Sequence, residues 1–264
     1  MLKPYQARGR TSGPHEHVLS ELNRIIIDEL TPRAKLPAEG ALATQFGVSR
    51  LTVREALKVL AGQDLIELRA GSRATVKAPS SITLARQLGV FIRRDPRTLI
   101  ELSELRMGLE VQVAGLAAQR ATRGALTSLE SALVKMRRAA DDFVTGVGDQ
   151  EAYHEGDLEF HEALAAASGN RMLALVLTSL EDSMRESFVH SFRGQFANGS
   201  TLADRLALHE RVAELVAAGD ARGATAAMTT LLAVSERDIL ASLKPGIPNA
   251  AAFDHTTDTG DQPS

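Results

Sequence analysis

Residues 36–77 read LPAEGALATQFGVSRLTVREALKVLAGQDLIELRAGSRATVK, and this stretch decides the fold. Pro37-Ala38-Glu39 opens a short helix with Leu42, Ala43 and Phe46 inward, and Gly47 supplies a turn. Ser49 suits the N-cap of a second helix, in which Val53, Ala56, Leu57 and Leu60 recur on one face. Arg50, Thr52, Arg54 and Lys58 are left outside that apolar face. Leu65 to Arg69 and Ala74 to Lys77 then alternate like strands around Ala70-Gly71-Ser72-Arg73, a hairpin tip with its own positive charge. Helix, tight turn, basic helix and two-stranded ribbon, in that order, predict a winged helix-turn-helix, the arrangement that lays one helix in the DNA major groove.

Side chains at the start of such a helix reach base edges. Arg50 or Arg54 can pair with guanine in bidentate fashion, and Thr52 can contact a thymine methyl or a phosphate. Backbone N–H groups around Ser49 and Arg50 also favour a phosphate. One exposed arginine is ordinarily a solvated charge; it is the whole ordered set that points to double-stranded DNA. The charge distribution agrees. The chain carries a formal net charge of -3, but residues 1–80 hold 12 Lys+Arg against 8 Asp+Glu, and the remainder 18 against 25. A basic module on an acidic body concentrates the attraction for DNA at the helix-turn-helix.

Outward from the quoted stretch, Val18, Leu22, Ile25, Ile26 and Leu30 define a helix from His15 to Leu30, which Pro32 ends. Residues 1–13 are polar and aperiodic, as a disordered arm would be. From Ile82 onward the pattern is helical, with helices expected at about 82–93, 97–121, 123–143, 149–167, 171–193, 200–218 and 220–243. The short breaks between them predict antiparallel packing in a bundle. Residues 244–264 have the composition of a disordered tail. The expected organisation is a DNA-binding domain over 14–79, a linker and connecting helix over 80–96, and a helical domain over 97–243. The fold class is therefore mainly α. At 264 residues and 44% apolar composition, each domain can bury a core. The absence of cysteine excludes disulfides, thiolate metal sites and a Cys nucleophile. No apolar run approaches the roughly 18 residues needed to cross a bilayer, so a cytoplasmic protein without membrane contact is expected.

Two patterns in the helical part carry chemistry. Asp157 and His161 lie four residues apart on one helix face and can reach one cation; His209, on a later helix, can supply a third ligand. An Asp–His pair at this spacing also occurs as a plain surface pair. Arg106 stands among apolar helical positions in ELRMGLE (104–110), suited either to gripping a carboxylate or to an ion pair with Glu110 at i,i+4.

Residues 36–72 resemble the DNA-binding domain of the GntR family of bacterial transcription regulators, whose pattern runs close to LPSE, LA, GVSR, TVREAL and a GLI strand. The resemblance implies that Arg50, Thr52 and Arg54 contact DNA, with Gly71 at the wing tip approaching the minor groove, and Ser49 joins them through the helix-start phosphate contact above. Two departures stand out: Gly40 where many members have Arg, and Asp64 in place of the usual Gly before Leu65-Ile66. Residues 97–240, through ELRMGLE, DLEFHEALAAASGN and LHERVAELVAAGD followed by ARGATAAM, resemble the helical FCD effector-binding domain of the FadR-type members. Metal-containing FCD domains use one Asp and three His. Three of these match Asp157, His161 and His209, while the fourth position is Leu231, which cannot ligate. His154 cannot replace it, since seven residues of helix place it roughly 10.5 Å from His161.

The resemblance thus implies a divalent metal (Zn, Ni or Mn) on Asp157, His161 and His209. Failing that, the same residues hydrogen-bond an effector whose carboxylate Arg106 binds. The expected protein is a homodimeric regulator, not an enzyme. It represses a catabolic operon at a palindromic operator and is released by a small carboxylate such as a sugar acid. The alternatives are a metal-dependent enzyme fused to a DNA-targeting domain and a constitutive DNA-binding protein with a non-functional pocket.

Overall fold

A computed structural model of the protein describes residues 13–92 and 98–244. The expected arm, apart from Gly13, the expected tail, apart from Lys244, and the Asp95-Pro96 break lie outside the described residues. The chain forms two compact units that divide between Thr83 and Leu84.

In the first unit α1 (Pro14–Asp28), α2 (Glu39–Phe46) and α3 (Arg50–Gly62) precede β1 (Ile66–Glu67) and β2 (Thr75–Val76). Val18 and Leu22 of α1, Leu42 of α2 and Val53 and Leu60 of α3 are buried together with Ile66, so the apolar stripes of three helices close on the base of the ribbon. Gly47 ends α2 with φ +66, the left-handed conformation that lets the chain turn sharply into α3. The strands are antiparallel, with Ile66 opposite Val76 and Glu67 opposite Thr75. They are shorter than the alternation suggested, because residues 67–73 are exposed and have no surface to bury. The ribbon instead pairs on its other side, where Lys35 bridges Thr75 and Leu36 N–H donates to the Ala74 carbonyl at 2.8 Å. Asp64 takes φ +62, the conformation that suits the family's glycine, and its carboxylate is held by Lys77 and Ser80.

α4 (Ile82–Ile92) begins two residues before the division, and the second unit is helical: it continues with α5 (Thr98–Arg120), α6 (Arg123–Val144), α7 (Gln150–Ala167), α8 (Arg171–Thr178), α9 (Glu181–Ala197), α10 (Leu202–Ala217) and α11 (Ala221–Ser242). The expected single helix over 171–193 is two. Ser179 turns its hydroxyl back onto the Val176 carbonyl at 2.6 Å, and the Leu180 N–H takes the tighter bond to Leu177. A serine bonding the backbone in this way competes with the helical ladder, and α8 ends there before α9 begins at Glu181. Side-chain caps start the helices on either side of the short breaks. Asp149, Asn170 and Asp220 accept from backbone N–H groups of α7, α8 and α11, and Thr201 with Asp204 forms a capping box on α10. Each is worth about 1 kcal/mol.

The helices pack α5 and α9 on α11, α6 on α7, and α10 on α6 and α11. Leu102, Val113, Met136, Phe160, Val212 and Met228 are representative of the core. The packing of α9 on α11 is close enough that a Cβ on Gly194 would fall 1.7 Å from the Asp238 carbonyl oxygen. Replacement of Gly194 by alanine must therefore push two backbones apart. The expected cost is about 3 kcal/mol or more, read from the urea midpoint of the full chain. An unchanged midpoint contradicts the close crossing.

Candidate functional site

On the first unit, the exposed face of α3 gathers the residues expected to meet DNA. Ser49 caps the helix by accepting from Thr52 N–H at 3.1 Å, and its hydroxyl shares a 2.9 Å hydrogen bond with that of Thr52. Arg54 is not a loose charge. Its Nη2 donates to Glu39 Oε2 at 2.8 Å and its Nε lies 3.3 Å from both carboxylate oxygens, so α2 orients it from below. Arg50 lies over Gly40, where an added Cβ would stand 3.1 Å from the Arg50 guanidinium. The missing side chain at position 40 thus makes room for Arg50. Gly71, at φ +72, is exposed at the ribbon tip. Leu51, 65% exposed in the first turn of α3, was not singled out from the sequence; an apolar residue between Arg50 and Thr52 carries no charge signal.

On the second unit, α5, α7, α9, α10 and α11 line a cavity. Asp157, His161 and His209 meet in it, with one ligand atom from each lying within 4.8 Å of the others. His209 Nδ1 is 2.8 Å from the Arg205 carbonyl oxygen, which can only accept, so Nδ1 carries the proton and Nε2 faces the site. His161 is oriented in the same way by Glu110, whose carboxylate lies against Nδ1. His161 Nε2 then lies 3.5 Å from Arg106 Nη2, a pure donor, and 3.9 Å from Asp157 Oδ1. His209 Nε2 is 2.9 Å from that same Asp157 oxygen. A nitrogen lone pair and a carboxylate oxygen repel at this distance unless a proton or a cation is shared between them.

Arg106 proves to be both of the things its sequence context allowed. It is buried, its Nε donates to Glu110 Oε1 at 2.6 Å, and it lines the cavity. Burial by itself would raise the Glu110 carboxyl, but the charges of Arg106 and His161 outweigh it and hold the group at about 2. Asp157 behaves alike: burial opposes its charge, while His209, His161 and Arg106 keep it well below the usual carboxylate range. Both are anionic near neutral pH.

Leu231, in the fourth-ligand position, lines the same cavity and is buried. His154 does not join the cluster; its ring stacks on Phe188 with centroids 4.3 Å apart, and burial lowers its basicity. Sequence reasoning saw Glu110 only as a partner of Arg106. Its reach to His161, 51 positions later, had no local signal. The buried pair Arg205–Asp238, at 2.8 Å across α10 and α11, also went unforeseen.

A winged helix-turn-helix followed by a helical unit with a buried polar cavity defines a transcription regulator that carries its own sensor. Comparison with known proteins agrees. The description "Bacterial regulatory proteins, gntR family" matches residues 14–76, and the FCD domain matches residues 101–234. The HTH-type transcriptional regulator LutR of Bacillus subtilis is 32% identical over 201 residues, covering 76% of this chain and 89% of that protein. The galactonate operon transcriptional repressor of Escherichia coli is 30% identical over 219 residues, covering 81% and 91%. A solved structure, Streptococcus agalactiae GntR, superposes with a TM-score of 0.65 at 27% identity, covering 84% of this chain and 99% of that one. The chain belongs to the GntR family, with an FCD domain, and is a ligand-responsive DNA-binding transcription regulator. Among the described residues, no helix is long and apolar enough to cross a membrane.

The Glu110 knot can be tested through stability. Glu110→Gln leaves the Arg106 charge buried without its counter-ion, for an expected loss of about 3–5 kcal/mol in denaturant melts. The native group titrates near 2 against an ordinary 4.5. Its contribution is therefore present above 4.5 and lost as the pH falls through about 2, so the variant should lose less stability than the parent over that acid range. Parallel stability–pH curves would contradict the assignment.

Proposed function

We propose that the protein represses a catabolic operon as a cytoplasmic homodimer bound to a palindromic operator, and that a small carboxylate such as a sugar acid releases it. The carrying observation is the convergence of His161 Nε2 and His209 Nε2 on Asp157, with Arg106 alongside, in the same chain as the winged helix. The outer nitrogens engaged by Glu110 and the Arg205 carbonyl are the supports that histidine metal ligands use to hold tautomer and orientation. The donor set fits a divalent cation such as Zn, Ni or Mn, held by Asp157, His161 and His209. When bound, the cation supplies a charge that attracts an oxygen ligand.

What the chain's own residues do follows from their protons. Arg106 Nη2 offers a donor to a carboxylate, Glu110 keeps that guanidinium and the His161 ring in place, and the buried walls exclude water. Leucine at 231 removes one protein ligand and leaves room for effector oxygens beside the three remaining side chains. The relatives' printed names, which include a galactonate operon repressor, support an acid of catabolism as the signal. To act as a switch, the effector must favour one arrangement of the dimer over the other by its difference in affinity. A two-fold dimer reads a two-fold operator.

At the DNA, Arg54 is set by Glu39 to reach a base edge, Arg50 and Thr52 flank it, Ser49 opens the helix, and Gly71 carries the wing tip. Arg54→Ala should cost about 1–3 kcal/mol of operator affinity in a gel-shift titration; undiminished affinity removes it from the interface. For the sensor, zinc at a hundred times its dissociation constant should stabilise the protein by about 2.7 kcal/mol. His161→Ala should abolish that gain and effector release while keeping operator binding. A His161→Ala protein that still responds to zinc and effector places the site elsewhere.

A further inference from the structure

The wall of the cavity that α9 provides is polar where a buried helix face is ordinarily apolar. Ser187, Ser191 and Gln195 stand at i, i+4 and i+8, and are 1%, 3% and 2% exposed. This places a continuous polar stripe about 12 Å long on one side of the cavity. Close packing of α9 on α11 at Gly194 explains small residues there, but not a glutamine, and not groups left without partners. Ser187 Oγ and Gln195 Nε2 are buried and make no hydrogen bond, and the same holds for Arg205 Nε, which lines the cavity beside them. A buried polar group with no partner costs about 1–3 kcal/mol, which an apolar residue of the same size would avoid. Three of them around one cavity need partners that the described residues do not supply.

Asp238 gathers the polar contacts at this end, including the exposed Arg237, whose Nη2 lies 3.4 Å from Oδ1. Arg205 Nη2 donates to Asp238 Oδ2 at 2.8 Å and to the Ser191 hydroxyl, and Asn198 Nδ2 donates to Asp238 Oδ1 at 2.6 Å. With Nη2 engaged by Asp238 and Ser191, Arg205 offers the cavity the donor at Nε. Two of the three unmatched groups, the Ser187 hydroxyl and the Gln195 amide, are neutral and suit hydroxyl oxygens.

Resting on the carboxylate reading above, we infer that the α9 wall binds the hydroxylated tail of the effector through Ser187, Gln195 and Arg205. The ligand is an open-chain polyhydroxylated monocarboxylate. A short hydroxy acid held at Arg106 is too short to satisfy donors spread over two helical turns.

The test is calorimetric titration of the full-length protein with gluconate, galactonate, mannonate, gulonate, lactate and malate. The tightest binder should be one of the four aldonates, by about tenfold over lactate and malate. Ser187→Ala and Gln195→Leu should each weaken that aldonate about fivefold. The Ser187→Ala protein should melt no lower than the parent, because the hydroxyl has no partner to lose. Tightest binding of lactate or malate, unchanged aldonate affinity in both variants, or a lowered melting temperature for Ser187→Ala would overturn the tail site and leave the carboxylate reading standing. Binding of none of the six would overturn both.

Discussion

Glu110 is the constraint on which the sensing half depends. A carboxylate taken out of water would ordinarily pick up a proton, yet this one stays ionised because Arg106 and His161 press on it from two sides. Its charge does two things at once. It fixes a guanidinium at the cavity wall, and it holds the His161 Nδ1 proton so that Nε2 faces the site. The Arg205 carbonyl imposes the same choice on His209. Two histidines with their outer nitrogens engaged and their inner nitrogens converging on a carboxylate form a donor cluster of the kind that could hold a cation.

These groups come from α5, α7 and α10, whose starts or faces are set by local rules. The cap at Asp149 and the capping box at Thr201 hold the first turns of α7 and α10, and Asp157, His161 and His209 lie within those helices rather than on loops. Side chains on packed helices keep their positions, as a binding site requires. The first unit follows the same logic on a smaller scale: Glu39 of α2 holds Arg54 of α3, and the bare Gly40 admits Arg50. A departure from the family's pattern at one residue is therefore read in the posture of another.

Much of this was legible in the sequence because it is periodic or local. The helix-turn-helix, its Ser49 cap and the turn at Gly47 follow from spacing and backbone preference, and the Asp157–His161 pair from one turn of helix. The ribbon was overdrawn, since alternation does not say whether a strand has anything to bury, and the pairing of Lys35 with Thr75 joins segments 40 residues apart. The break at Ser179 was hidden because the apolar pattern runs on through it. Glu110 with His161, Arg54 with Glu39 and the polar stripe of α9 became visible only once the helices were packed together.

The central claim is a statement about two protons, and it can be measured directly. Long-range proton–nitrogen correlation spectra of the full-length protein, recorded before and after addition of zinc, report the state of each histidine ring nitrogen. The account predicts that His161 and His209 keep their protons on Nδ1 throughout, and that only their Nε2 resonances move to positions typical of metal-bound nitrogen. Coordination through Nδ1 at either residue, or unchanged spectra at saturating zinc, would contradict it.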